Sequence, residues 1–149
     1  MKVVRLTQDK VALVDDADFE WLNQRKWHFN GQYACRTENR KTIYMHKLLV
    51  SSKSEVDHKD GDGLNNQRSN LRECTSSQNN MNMKSFAKSG FKGVYPVKGR
   101  GIYQVKLGTR TKKIFVGNFV DILEAARAYN KAAIEHYGEF ARLNNVPQR

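Results

Sequence analysis

Apolar and polar positions alternate in short runs over the first third of the chain. Val3-Val4-Arg5-Leu6 and Val11-Ala12-Leu13-Val14 have the pattern that predicts strands. Asp15-Asp16-Ala17-Asp18 then offers N-cap oxygens to a short helix carrying Phe19, Trp21 and Leu22. Asn30-Gly31 stands between Trp27-His28-Phe29 and Tyr33-Ala34-Cys35 and supplies the positive φ angles of a tight hairpin turn. Residues 43–50 are the longest apolar run, broken by His46 and Lys47. They fit either a strand passing into a helix or a buried helix alone.

In residues 56–80, Val56-Asp57-His58 reads as a strand end and residues 59–66, with two Gly and two Asn, as a loop. Leu71-Arg72-Glu73-Cys74 reads as a returning strand, and Thr75 or Ser76 caps a helix over about 77–84. The C-terminal region predicts three strands, at 94–95, 102–107 and 113–119. A helix follows, opened by Asp121-x-x-Glu124 and stopped at Gly138. Its stripe is Ala125, Ala126, Tyr129, Ala132, Ala133 and His136. The small alanines let it approach a sheet closely. A polar stretch over 84–90 is the expected linker.

Charge narrows the partner. The 149 residues carry 26 basic and 15 acidic side chains, a net charge of +11. Residues 1–89 hold 15 basic against 11 acidic, and residues 90–149 hold 11 against 4, so the shorter part is the more basic. This favours a polyanionic partner, nucleic acid before membrane. No apolar run is long enough to span a bilayer, and the N-terminus lacks the core of a secretion signal. The expectation is a cytoplasmic protein, of a bacterial host or a phage-infected cell, that is not secreted. Cys35 and Cys74 form no metal or disulfide spacing and read as two half-buried thiols.

Residues 56–80 hold the groups that phosphodiester cleavage needs. Asp57 can ligate a hard cation, His58 can act as a base near neutral pH, Asn79 can add a carbonyl oxygen and Asn70 can brace the loop. Spacing alone leaves catalysis and ordinary turn chemistry both open. Residues 46–82 resemble the H-N-H nuclease family in its phage and intron homing-endonuclease branch. The resemblance is carried by His46 in MHKLL, Asp57-His58, Asp60-Gly61, Asn65-Asn66, Asn70-Leu71-Arg72, Thr75 and Asn79. It implies a ββα-metal unit, with Asp57 and Asn79 as metal ligands, His58 as general base and Asn70 holding the loop. Many relatives have His where Asn79 stands, so one Mg²⁺ or Mn²⁺ per site is favoured over Zn²⁺. Asn80 is the register-shifted rival. Asp60 and Asp62 read mainly as loop formers, and Arg72 as either a phosphate clamp or a structural ion pair.

Alternation in the C-terminal strands puts Tyr103, Val105 and Leu107 on one face and Gln104 and Lys106 on the other, with Lys113 and Phe115 joining the second set. That face is either solvated or enters a major groove. Residues 89–145, with SGFKGVY, KKIFVGNF and EAARAYNKAAIEHYGEFARLN, resemble the ethylene-response-factor (Apetala-two) DNA-binding domain. The resemblance implies a three-stranded antiparallel sheet on one helix, reading bases with Tyr95, Lys106, Lys113 and Phe115. Gln104 shares that face, and Lys92, Lys98, Arg100, Arg110 and Lys112 are expected on phosphates.

The expectation is therefore an α+β protein with a nuclease domain over 1–85, its ββα-metal core at about 55–84, and a sheet-reading DNA-binding domain over 88–149. It would nick or cut double-stranded DNA as a monomer or weak dimer, with no obligate protein partner and no membrane. The alternatives are a DNA-binding regulator with an inert nuclease fold and an RNA-binding module. Residues 1–50 are given no separate function.

Overall fold

The computed structural model describes residues 1–84, 87–108 and 112–147. The fold is mixed α/β, with small antiparallel sheets and, among the described residues, four α-helices. It divides into two compact units, Met1–Thr75 and Ser76–Arg149. Among the described residues no helix is long and apolar enough to cross a membrane.

In the first unit β1 (Lys2–Arg5) pairs with β2 (Val11–Val14), and α1 (Asp16–Asn23) follows. β3 (His28–Phe29), β4 (Ala34–Glu38) and β5 (Lys41–Tyr44) form a meander that runs directly into α2 (Met45–Val50). Residues 43–50 are thus a strand passing into a helix. β6 (Glu55–His58) pairs with β7 (Leu71–Cys74), preceded by a 3₁₀ turn over Arg68–Asn70. Val4, Ala12, Val14, Leu22, Trp27, Met45, Leu49, Val56 and Leu71 close into one core. Each large aliphatic side chain buried there contributes roughly 1.5–3 kcal/mol. The Trp27 indole N–H is satisfied by the Leu22 carbonyl at 2.9 Å.

Two local details differ from the sequence expectation. Asp15 occupies the N-cap position of α1, but its side chain makes no capping bond. Its Oδ2 instead accepts the Arg68 backbone N–H at 2.8 Å. Arg68 also forks onto Asp18 at 2.7 and 2.8 Å and donates to the Leu49 carbonyl. The acidic run therefore anchors the 3₁₀ turn before β7. Cys35 and Cys74 are fully buried rather than half-buried, and both are free thiols.

In the second unit α3 (Ser76–Asn82) comes first. β8 (Val94–Val97), β9 (Ile102–Gly108) and β10 (Lys113–Phe119) form a sheet of order β10-β9-β8, and α4 (Ile122–Tyr137) packs on it. Asp121 caps α4 by accepting the Glu124 N–H at 2.8 Å, and Gly138 ends it at φ 53°. The buried stripe is Ala125, Ala126, Tyr129, Ala132, Ala133 and Tyr137; His136 faces solvent instead. Tyr129, Ala133 and Tyr137 are spaced by four residues, so they share one face, and His136 falls beside it. Compactness divides the chain at Thr75/Ser76, whereas hydropathy patterning places the boundary at 85–88. α3 is tied to the second unit by Met81, which packs against its core, and by the Lys92 ammonium, which donates to the Met81 and Met83 carbonyls.

Candidate active site

The segment from β6 to β7 is built around a loop that its own side chains close. Asp60 Oδ1 accepts the Asp62 N–H and the Asn70 amide at 2.8 and 2.9 Å, while Oδ2 accepts the Asn65 amide at 2.8 Å. Asn70 returns a bond from Asp60 N–H to its Oδ1 at 3.1 Å and donates to the Asn65 carbonyl at 2.8 Å. Asp62 accepts the Leu64 N–H at 3.0 Å. Burial pushes the Asp60 carboxyl up, but hydrogen bonds from Asp62, Asn70 and Asn65 outweigh it and hold it below the ordinary carboxylate value. The far side of the loop is pinned to β2, where Leu13 N–H donates to the Leu64 carbonyl and Asn66 N–H to the Leu13 carbonyl.

Asp57 and His58 diverge, as neighbouring strand residues do. Asp57 is opposite Arg72 in the ladder, and its Oδ2 accepts from Arg72 Nε at 2.9 Å and Nη2 at 2.7 Å. His58 ends β6 and is buried. Its Nε2 lies 3.5 Å from Asn66 Oδ1. Tyr33 stacks on it with ring centroids 5.7 Å apart, and His46 meets it edge-on at 5.0 Å. Burial pushes the imidazole pKa below its ordinary value; the Asn66 contact and the Asp60, Asp57 and Asp62 carboxylates act in the opposite sense. The net shift favours the uncharged imidazole.

Asp57, His58 and Asn70 thus fall in one segment of the first unit. Asn79 is half-buried on α3, in the second unit. Its neighbour Asn80 lines a cavity of about 310 Å³ inside the second unit with Met81, Lys92 and Tyr129. Successive helix residues point about 100° apart, so the two asparagines face different surroundings. Among the described residues, no three His, Cys, Asp or Glu side chains gather into a metal-holding group.

Sequence reasoning missed Asn66, Tyr33 and the contact made by His46. Asn66 is buried at 1 % exposure inside a loop whose composition signals only a turn. Tyr33 comes from the mouth of the β3–β4 hairpin, remote in sequence.

On the second unit's sheet, Tyr95 and Phe115 are 49 % and 55 % exposed. Phe115 is opposite Lys106 and Tyr95 opposite Gln104. Tyr95, Lys106 and Lys113 line a cavity of about 360 Å³ with Leu107 and Gly108. A bulge between Phe115 and Gly117 brings Asn118 opposite Gln104, adding an exposed amide that strict alternation does not place there. Lys98 and Arg100 are exposed in the β8–β9 turn, and Lys112 is exposed before β10. Arg110 lies outside the described residues. Lys92 is corrected: it is partly buried on the α3 carbonyls, and burial lowers its pKa to about 8.

Comparison with known families matches residues 50–81 to a model described as HNH endonuclease. The match contains Asp57, His58, Asn70 and Asn79 and does not extend over the C-terminal sheet. Comparison with characterised proteins gives no match. Residues 50–81 are thus similar to the HNH endonuclease family, and this similarity points to a nuclease.

Proposed function

We propose that the chain is a homing-type endonuclease that nicks or cuts double-stranded DNA by metal-assisted hydrolysis, with His58 as general base. The observation that carries this reading is His58, buried at the end of β6 beside a loop closed by Asn70, inside the matched segment. If Nε2 donates to Asn66 Oδ1, the imidazole is the tautomer whose Nδ1 bears the lone pair. That nitrogen takes a proton from water, the water oxygen attacks phosphorus, and the 3′ oxygen leaves. Asn70 acts on this step through the loop, by fixing the backbone on which His58 stands. HNH nucleases generally use a divalent metal; here Asp57 and Asn79 would hold Mg²⁺ or Mn²⁺, which when bound offsets charge on the phosphate and the leaving oxygen.

In this reading the second unit supplies affinity and address. Its support is the three-stranded antiparallel sheet packed on one helix, with Tyr95, Lys113 and Phe115 exposed, Gln104 and Lys106 half-buried beside them, and Lys98, Arg100 and Lys112 exposed nearby. The test is nicking of supercoiled plasmid with Mg²⁺ or Mn²⁺, alongside DNA binding. His58→Ala should abolish nicking and leave binding nearly intact; wild-type cutting by His58→Ala removes the base assignment. One observation favours a second reading, a DNA-binding regulator with an inert nuclease fold, because Arg72 already occupies Asp57. Duplex binding with no metal-dependent nicking would select it.

A further inference from the structure

Two hollows of the second unit share a wall. One, of about 310 Å³, is lined by Lys84 and Lys92, and the other, of about 360 Å³, by Lys113. Tyr95, Lys106 and Gly108 border both, so the two adjoin and form one trough. Gly108 makes the notch. Gln104, Lys106 and Gly108 alternate onto one face of β9. Gly108 is exposed, and a Cβ there would meet nothing within 4 Å, so the row of side chains is interrupted and the gap stays open. Tyr95 is 49 % exposed, and Lys84 and Lys113 are exposed, so solvent reaches the trough.

Among the described residues, lysines line the trough and no carboxylate does. That sign selects a polyanion. Lys92 is anchored on the Met81 and Met83 carbonyls and adds charge, whereas Lys84, Lys106 and Lys113 are the groups to meet phosphates. Shape selects among polyanions. Each hollow has the size of a small-ligand site, about 300–1,000 Å³, rather than of a surface that seats a duplex. Bases in a duplex are stacked and paired and cannot enter such hollows, but an unstacked base can. A basic groove with an aromatic platform is the arrangement that holds single strands.

We propose that this trough binds an unpaired single strand of DNA, with one base stacked on Tyr95 and the flanking phosphates on the lysines. The inference goes beyond the cleavage reading and depends neither on His58 nor on a metal. The match to an endonuclease family on the same chain favours DNA over RNA.

The test measures binding of a fluorescein-labelled oligothymidylate to the full chain at low salt, by anisotropy. A duplex and an oligouridylate of the same length are run beside it. Gly108→Val fills the notch with a residue that suits a strand. Tyr95→Leu removes the stacking ring and Tyr95→Phe keeps it. The wild-type chain should bind the oligothymidylate. Gly108→Val and Tyr95→Leu should each weaken that binding by about tenfold at unchanged Tm, and Tyr95→Phe by less than about twofold. Gly108→Val should hold the duplex within about twofold of wild type. No oligothymidylate binding by the wild type overturns the inference, and so does wild-type affinity in Gly108→Val. An equal loss on the duplex in Gly108→Val makes the trough part of a duplex-binding face and overturns a separate single-strand site. Should Gly108→Val lower the Tm, equal affinities of Tyr95→Leu and Tyr95→Phe overturn it instead. Tighter binding of the oligouridylate assigns the trough to RNA and overturns the choice of DNA.

Discussion

Arg72 donates both Nε and Nη2 to a single oxygen of Asp57, Oδ2, at 2.9 and 2.7 Å. The two residues are directly opposed in the β6–β7 ladder, and their side chains are only 11 % and 5 % exposed. Removing one partner of such a pair strands the other charge in a poorly solvated place, at a cost of about 3–5 kcal/mol. Arg72→Leu should therefore lower the unfolding free energy by about that amount, as read by urea denaturation. Replacing both residues by apolar ones of similar volume should cost much less. Asp57→Asn, which removes the charge a cation would bind, should abolish metal-dependent nicking. An Arg72→Leu protein as stable as the wild type would mean the pair contributes nothing to the fold.

Asn70 closes the loop with three hydrogen bonds, two to Asp60 and one to the Asn65 carbonyl. Asn70→Ala leaves these groups to find water, and should destabilise the chain by about 1–3 kcal/mol. Asn70→Asp should be worse, because it sets a second carboxylate against Asp60. In both, kcat should fall by about tenfold or more with DNA affinity little changed. Thermal unfolding and plasmid nicking measured on the same preparations check both effects.

Gly63 is where the hairpin meets the loop. A Cβ there would lie 2.3 Å from the Gln32 carbonyl oxygen and 2.7 Å from the Tyr33 ring. Gly63→Ala must push the β3–β4 hairpin away, and overpacking of this kind costs about 1–3 kcal/mol. Tyr33 stacks on His58, so nicking should fall together with Tm. A Gly63→Ala protein with full activity and unchanged Tm would mean the hairpin yields freely.

The parts legible in the sequence are those set by local chemistry. Asp121 and Gly138 bound α4 because a side-chain acceptor and a residue tolerant of positive φ act within one turn. The β6–loop–β7 succession followed from Gly and Asn density between apolar runs. Long-range partners were not legible. Asp15 has the composition of a cap, yet its carboxylate serves Arg68, 53 residues away. The β4–β5 hairpin turns at Asn39-Arg40, both at positive φ, and Arg carries no signal for that conformation. The ring cluster draws Tyr33, His46 and His58 from three separate elements, so no window of sequence contains it. The bulge at Val116 likewise depends on pairing with β9.

His46 should make the first unit sensitive to acid. Its folded pKa, about 3, lies below the ordinary imidazole value of 6.5 that it regains on unfolding. Between those values the unfolded chain binds a proton that the folded chain does not, so stability rises with pH across this window. The contribution is complete above about pH 6.5 and is lost progressively as pH falls toward 3. His58 is shifted in the same direction. The wild-type Tm should therefore fall more steeply from pH 7 to pH 4 than that of His46→Phe. Parallel melting curves for the two proteins would remove His46 from the account.

The exposed sheet face of the second unit should separate into two kinds of contact. Lys98 and Arg100 stand in a turn built by Gly99 and Gly101, clear of the apolar core, and suit phosphate neutralisation. Each lost phosphate contact lowers the steepness of log K against log salt by about 0.9. Removing both charges together should thus flatten the slope by about 2 and weaken binding to any duplex alike. Phe115 and Lys106 face each other across β10 and β9, and Phe115 is 55 % exposed; under the proposed function this pair would meet base edges and methyl groups. Phe115→Ala should leave the salt slope unchanged and reduce preference between duplexes by about 1–3 kcal/mol for the base pair it meets. Fluorescence anisotropy on two duplexes over a salt series measures both quantities. A Phe115→Ala protein that loses the same affinity for every duplex would make the ring a packing surface rather than a reader.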